Sequence, residues 1–351
     1  MSKSNDVKDA KINVAILGLG SIATKMAETL AGMEKDPRYA DAVHFYAVAS
    51  RNDEEKARKF ASDYGAEKYY GTYEDMLNDE EVDLVYIATP HSFHAEQAKA
   101  CLEQGKNVLV EKSFTATEEE AKEVLDLSKE KGLLCTEALW TRYEPSRMMI
   151  YEMAHRPGEL GIGPVESIRA DLSYPDSGKP RVTDPALAGG ALLDVGVYVI
   201  NFMRMIFPDV SPHDILTTAR LTETKVDESN IIAIWLDNGV KAVLTSGRDS
   251  ASDRQGIIQG QNGYIIVDNV NNPMRIDRYN KDHELMETVK APDQITGFEY
   301  EVMASVEAIR SGQIECQQMP HEETRFIMQL MDALRHNWGV WYPFEDKGKE
   351  D

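Results

Sequence analysis

Lys11 to Ala23 reads KINVAILGLGSIA. Ile12, Val14, Ala15, Ile16 and Leu17 make an apolar run suited to a buried strand. Gly18 and Gly20 follow, and a helix begins near Ser21. Strand, glycine turn and helix in that order grip a dinucleotide. Gly18 permits a tight turn, and Gly20 lets backbone approach a pyrophosphate. The first N–H groups of the helix, at Ser21 and Ile22, point at the phosphates. Ala23 takes the third position, where a small residue lets helix and strand pack closely. The same residues also describe a tight turn with no ligand, so the flanking pattern has to decide.

That pattern repeats the unit. Strand readings at Val43–Ser50, Ala66–Tyr70, Val82–Ala88, Asn107–Val110 and Leu133–Glu137 alternate with helical readings. The helices are Arg51–Tyr64 (Ala57, Phe60 and Ala61 inward), Thr72–Asn78 (Tyr73 and Met76 inward), Ser92–Gln104 ending at Gly105, and Thr117 to Lys131–Gly132. Thr117 with Glu120 is a capping-box pattern. VDLVYIA at Val82–Ala88 is apolar almost throughout, as in a strand covered on both faces. Repeated βαβ predicts a doubly wound parallel sheet in residues 1–137. After Trp140 the pattern changes. Helical Pro145–His155 precedes alternating strands at Val165–Ser173, Ile215–Thr222, Ser229–Leu236, Lys241–Ser246, Arg254–Gln259 and Gly263–Asp268. Helices are expected at Ala191–Ile206, Gly297–Ser311 and His321–Asn337. Residues 138–351 thus read as an α+β domain with a large open, mainly antiparallel sheet. Helices cover one face of such a sheet, and a second subunit is the simplest cover for the other, giving a homodimer or homotetramer.

The totals fit two domains: 351 residues, 42% apolar. The net charge of −22 disfavours nucleic acid and anionic membranes as partners. No apolar run reads as long enough to cross a membrane, and the polar first eleven residues lack the apolar core of a secretory signal. They are expected to be frayed, and the last residues, EDKGKED, to form a loose tail. Cys101, Cys135 and Cys316 have no short spacing, which argues against disulfides or structural zinc and fits a cytoplasmic setting. Neither a metal-binding spacing nor a Ser–His–Asp constellation is marked.

The end of the second strand meets the adenosine ribose in this fold. An acidic residue there selects NAD, whereas a small polar residue followed by Arg favours NADP. Ser50-Arg51 occupies the place, so Arg51 can pair with a 2′-phosphate and stack on adenine. Asp53, two residues on, keeps NAD open. The C-terminal strand ends supply Thr89, Pro90, His91 and His94, then Glu111 and Lys112. Farther along, AGGALLDVGVY places Asp194 and Tyr198 four residues apart, on one face if the helix has begun by Asp194. A phenol, with a pKa of about 10, takes a hydroxyl proton only if that pKa is lowered, and a nearby ammonium does this. Lys112 is the candidate ammonium, and Asp194 could hold it or the substrate. Each also has a plainer reading: Tyr198 as core, Lys112 as solvated, Asp194 as a helix cap, His91 and His94 as capping or packing residues.

Together, GLGSIA, ATPHSFHAE, GKNVLVEK and GGALLDVGVY resemble the glucose–fructose oxidoreductase/inositol dehydrogenase (Gfo/Idh/MocA) family, over about Ile12 to Gly339. EALWTRYEP and RVTDPALAGGALLDVGVY are similar to its dimeric dihydrodiol dehydrogenase and NADP-dependent D-xylose dehydrogenase branch. The resemblance implies NADP(H), a Tyr acid/base at Tyr198 and a supporting Lys112. It also implies substrate contacts around Trp140, Arg142, Asp194 and Arg181, and dimers formed through the open sheet. One departure is Glu111-Lys112-Ser113, where the family reads Glu-Lys-Pro, often with a cis peptide. Ser113 loosens that expectation. The expected function is hydride transfer between the nicotinamide and a sugar, polyol or cyclic diol. Two alternatives remain: a carbonyl or deoxysugar reductase on the same fold, and a non-catalytic NADP-binding sensor.

Overall fold

The computed structural model describes residues 10–176 and 178–345. The frayed start and loose tail expected above lie, apart from residues 10, 11 and 345, outside the described residues. The chain divides into two compact units, Met1–Tyr143 with Gln294–Met328 and Glu144–Asp293 with Gln329–Asp351.

In the first unit the elements run β1 (Ile12–Leu17), α1 (Ser21–Met33), β2 (Val43–Ala49), α2 (Glu54–Tyr64), β3 (Lys68–Tyr70) and α3 (Tyr73–Leu77). They continue with β4 (Leu84–Ile87), α4 (His94–Glu103), β5 (Asn107–Glu111), α5 (Glu118–Lys131) and β6 (Cys135–Ala138). The six strands form one parallel sheet in the order β3–β2–β1–β4–β5–β6. All four residues of β4 are fully buried, which is why its sequence is apolar without alternation. Side chains cap the outer helices: Asp53 accepts from Lys56 N on α2, Thr72 from Asp75 N on α3, and Thr117 from Glu120 N on α5. Glu120 reaches back to Ala116 N, completing a box-like cap. No side chain caps α1. Strand order reverses between β1 and β4, so the crevice beyond their carboxyl ends is where this fold takes its ligands.

The second unit contains α6 (Pro145–Ala154), β7 (Val165–Ser173), α7 (Pro180–Thr183), α8 (Val197–Ile206) and seven further strands. These are β8 (Pro212–Leu221), β9 (Asp227–Leu236), β10 (Lys241–Gly247), β11 (Gly256–Gly260), β12 (Gly263–Val267), β13 (Arg275–Asn280) and β14 (Leu285–Lys290). The eight strands form one sheet in the order β14–β13–β12–β11–β7–β10–β9–β8, antiparallel except for the β7–β10 pair. One face carries Ile232, Ile234, Ala242 and Leu244 and is buried. α8 packs on β7 and β10, close enough to β11 that a Cβ on Gly256 would meet the Phe202 ring at 2.7 Å or less. On the opposite face, Leu216 faces Ala233, which faces Val243, which faces Arg169; Leu216, Val243 and the nearby Ile231 and Trp235 are exposed.

β13 and the edge strand β14 escaped the sequence reading because charged residues interrupt their apolar pattern, joined in Arg275–Asp277 and Arg278–Glu287 pairs. A correction concerns apolar length. Pro185–Ile206 is long and apolar enough to cross a membrane by composition, but it is mostly buried inside its unit and serves as core. α9 (Glu299–Arg310) belongs to the first unit, and α10 (His321–Asn337) starts in the first and ends in the second.

Candidate active site

In the first unit, β1 delivers Gly18 at φ +91°, a conformation that disfavours a side chain. A Cβ at Gly18 would lie 2.6 Å from the Thr89 methyl, so the turns after β1 and β4 touch. Ala23 is fully buried against the sheet. Gly20 and Ser21 are exposed at the uncapped start of α1, with Ile22 half-buried beside them, which leaves a helix N-terminus facing outward for an anion.

Beside this turn lies a cavity of about 650 Å³ lined by Leu17, Arg51, Tyr73, Leu77, Thr89, Pro90, Phe93 and Gln97, among others. The Arg51 guanidinium stands 5.3 Å from the Phe93 ring centre. Ser50 is buried; its hydroxyl donates to the Asp53 carbonyl and accepts from Asp53 N, which locks the bend. Asp53 spends its carboxylate on the cap of α2, with Oδ1 2.9 Å from Lys56 N. Arg51 therefore faces the cavity while the acidic alternative is tied into a helix. The sequence does not single out Phe93 and Tyr73 as site residues; their signal is an aromatic shortly after a strand end, beyond β4 and β3 respectively.

His94 is fully buried, with Nδ1 2.9 Å from the Ser113 carbonyl and Nε2 2.8 Å from the Thr89 carbonyl. Both ring nitrogens thus address backbone, and burial lowers the imidazole pKa. His91 is buried edge-on against it, ring centres 5.8 Å apart. Glu111 is buried too: it accepts from the Tyr86 hydroxyl and, at 3.0 Å, from Lys112 N. These residues shape the loops rather than offering open polar groups. Lys112 is half-buried, and its peptide to Ser113 is cis, although Ser113 had loosened that expectation. Phe114 N donates to Glu137 Oε1 at 3.0 Å from the loop's other side.

Glu137, which the sequence shows only as the end of a strand, is a strongly perturbed acid beside the loop. Complete burial pushes its carboxyl up to about 8. The Phe114 N–H, Arg142 and the Thr324 hydroxyl pull it down, while Glu111 pushes it further up. Trp140 stacks on Phe298, ring centres 4.6 Å apart, over Gly297. Arg142 is buried, donating from Nε to the Gln318 carbonyl and pairing through Nη1 with Glu323, each at 3.0 Å. Within its unit Arg142 is thus held by α10 and the loop before it.

In the second unit the segment before α8 is a π-turn, Leu192–Gly196. Asp227, from β9, sets it: Oδ2 accepts from Leu192 N at 2.7 Å and from Asn230 Nδ2 at 2.9 Å, and Ser246 in turn donates to Asn230. Burial pushes the Asp227 carboxyl up to about 6. Gly190, at φ +127°, leaves no room for a Cβ against that carboxylate. The helical path already includes Asp194, so Asp194 and Tyr198 follow each other by one turn, both almost fully buried. Asp194 Oδ1 accepts from Arg181 Nη1 at 2.8 Å. Its Oδ2 is 3.0 Å from Arg248 Nη1, an ion pair without hydrogen-bond geometry. Arg248, which the sequence reading missed, also pairs with Asp176. An aspartate between two guanidiniums suits holding better than proton transfer.

The N-terminal residues 12–139 match the family model described as an oxidoreductase family with an NAD-binding Rossmann fold, and residues 158–266 match the GFO/IDH/MocA C-terminal domain. The chain is 30% identical over 302 residues to trans-1,2-dihydrobenzene-1,2-diol dehydrogenase of Xenopus tropicalis, covering 85% of this chain and 90% of that one. The chain belongs to the GFO/IDH/MocA oxidoreductase family. This oxidoreductase is also 28% identical over 335 residues to a scyllo-inositol 2-dehydrogenase (NADP(+)) of Bacillus subtilis, covering 95% and 98%. A solved 3-ketoreductase from Actinomadura kijaniata, in complex with NADP and TDP-benzene, superimposes with a TM-score of 0.80 at 26% identity, covering 95% of this chain and 100% of that one. The protein is an NAD(P)-dependent oxidoreductase of mixed parallel and antiparallel sheet architecture, as the sequence led one to expect.

The buried Glu137 gives a pH prediction. Its folded pKa, about 8, lies above the ordinary value near 4.5, so the stability it contributes is fully present at low pH and is lost as pH rises through about 8. Glu137→Gln removes that loss. Denaturation at pH 5 and pH 8 should show the variant gaining on the wild type by up to about 4 kcal/mol at the higher pH. A difference independent of pH would show that Glu137 is charged throughout.

Proposed function

We propose that this oxidoreductase exchanges a hydride between NADP(H) and a ring carbinol of a sugar, polyol or cyclic diol. Residues 1–137 carry the cofactor and 138–351 the substrate and subunit contacts. The observation that carries the cofactor choice is the pairing of Arg51, turned to the cavity, with Asp53, tied into the α2 cap. Gly18, Gly20, Ser21 and Ile22 would take the pyrophosphate at the uncapped α1. Ser50 and Arg51 would take the 2′-phosphate; Thr89, Pro90 and His91 would border the path toward Glu111 and Lys112, and His94 would act through the backbone it holds. The nicotinamide, when bound, supplies or accepts the hydride.

Proton movement falls to the chain's own residues. Tyr198 Oη takes the hydroxyl proton as the hydride leaves, and the Lys112 ammonium favours the phenolate it becomes. Asp194, fixed by Arg181 and Arg248, orients the substrate through hydrogen bonds, with Trp140, Arg142 and Arg181 as further substrate-side residues. The substrate class is supported by the diol and inositol dehydrogenases to which the chain is similar. The similarity to a 3-ketoreductase favours a second reading, the same chemistry run as carbonyl reduction. Retention of Lys112, Asp194 and Tyr198 weighs against a sensor without turnover. Three buried, unpaired cysteines support a reducing, cytoplasmic setting. The exposed apolar residues Leu216 and Val243 on the open sheet face support a dimer or a tetramer, with a second copy of the chain as their cover.

Three outcomes are expected. Tyr198→Phe should lower turnover about a hundredfold or more while leaving cofactor affinity intact, and near-normal kcat would remove the phenol from the mechanism. Arg51→Ala should raise the Kd for NADP about tenfold to a hundredfold, with that for NAD nearly unchanged; equal losses in fluorescence titrations would refute the 2′-phosphate contact. Light scattering should report at least a dimer that Val243→Glu dissociates, whereas a monomeric wild type would sink the interface.

A further inference from the structure

The backbone around Lys112 is held by the side chains of Glu111 just before it, His94 on α4 and Glu137 on β6. Lys112 N donates to Glu111 Oε2 at 3.0 Å, the Ser113 carbonyl lies 2.9 Å from His94 Nδ1, and Phe114 N donates to Glu137 Oε1 at 3.0 Å. Ser113 and Phe114 are completely buried. Proline would fix this turn covalently through its ring; serine does not, so hydrogen bonds carry the restraint. The Glu137 tether is the costly one. Glu137 sits on β6, paired with Val110 of β5, in a strand whose other residues, Cys135, Thr136 and Ala138, are small and buried. An apolar side chain would satisfy that packing. A fully buried carboxyl is unfavourable unless its oxygens accept hydrogen bonds, and Phe114 N–H is a donor it demonstrably meets.

We propose that Glu137 is the positioning residue of Lys112: from the adjacent strand it pins the turn that aims the ammonium. This rests on the role given to Lys112 above. The acid is held largely neutral at pH 7 among Arg142, Glu111, the Thr324 hydroxyl and Tyr143, so glutamine is its close mimic and keeps the carbonyl that Phe114 N needs. Leucine fills the space without an acceptor.

The test compares full-length Glu137→Leu, Glu137→Gln and Lys112→Met by amide hydrogen exchange, NADP affinity and kcat against pH. Glu137→Leu should speed exchange in the 112–117 segment about tenfold or more and cut kcat about 10- to 100-fold, the scale of an ångström-sized misplacement. The acidic limb of its pH profile for alcohol oxidation should move up toward the free phenol value of about 10, with NADP affinity within about twofold. Glu137→Gln should restore slow exchange and kcat within about threefold. Unchanged exchange at 112–117 in Glu137→Leu, or loosening spread evenly over the unit, overturns the proposal. Should Glu137→Leu not fold, fast loop exchange in a folded Glu137→Gln overturns it equally. Lys112→Met with wild-type kcat refutes the lysine's role while the exchange result still judges the tether, so the two failures are separable.

Discussion

The turn at Gly18 takes φ +91° and runs so near Thr89 that a side chain would fall 2.6 Å from its methyl group. That close approach goes with β1 and β4 being adjacent parallel strands, while the buried Ala23 lets α1 pack closely on β1 and β2. Next to it lie the uncapped start of α1 and the cavity beside Arg51, which Leu17 and Thr89 help to line. His94 continues the constraint by tying the Thr89 loop to the Ser113 loop through one imidazole. Cofactor cradle and lysine are therefore parts of one backbone arrangement.

The second unit solves a parallel problem by different means. There Tyr198 stands at the start of a helix whose preceding π-turn is wide, and the buried Asp227, thirty-five positions beyond Leu192, accepts from that turn's backbone. Asp227 in the second unit and Glu137 in the first do the same kind of work: each is a buried carboxyl, raised by desolvation, that accepts a backbone N–H, from Leu192 and Phe114 respectively. Asp194 differs in being flanked by Arg181 and Arg248, which makes it a rigid acceptor.

Much of this was legible beforehand. The parallel sheet showed in the sequence because burial on both faces leaves β4 no room for polar residues, and the cap at Thr117 is a local event between residues three apart. The inward positions Ala57, Ala61 and Met76 follow from helical period alone. β13 and β14 did not show, because β14 is a solvated edge strand and β13 buries the charged Asp277 and Arg278 beside Ile276, so neither carries an apolar stripe. The π-turn did not show because its cause, Asp227, lies on another strand. Phe93, Phe298, Arg248 and Glu137 are unremarkable as letters; their meaning comes from contacts with Arg51, Trp140, Asp194 and Phe114 that only the folded chain creates.

The most direct measurement is the appearance of reduced cofactor from NADP+ and, separately, NAD+ across aldopentoses, aldohexoses, inositols and a cyclic trans-diol, with matching ketones run in reverse from NADPH. The account predicts turnover on one of these classes, strongly favouring NADP(H). Tight NADP binding with no turnover on any alcohol or carbonyl in the panel would contradict it and point to a cofactor-bound sensor.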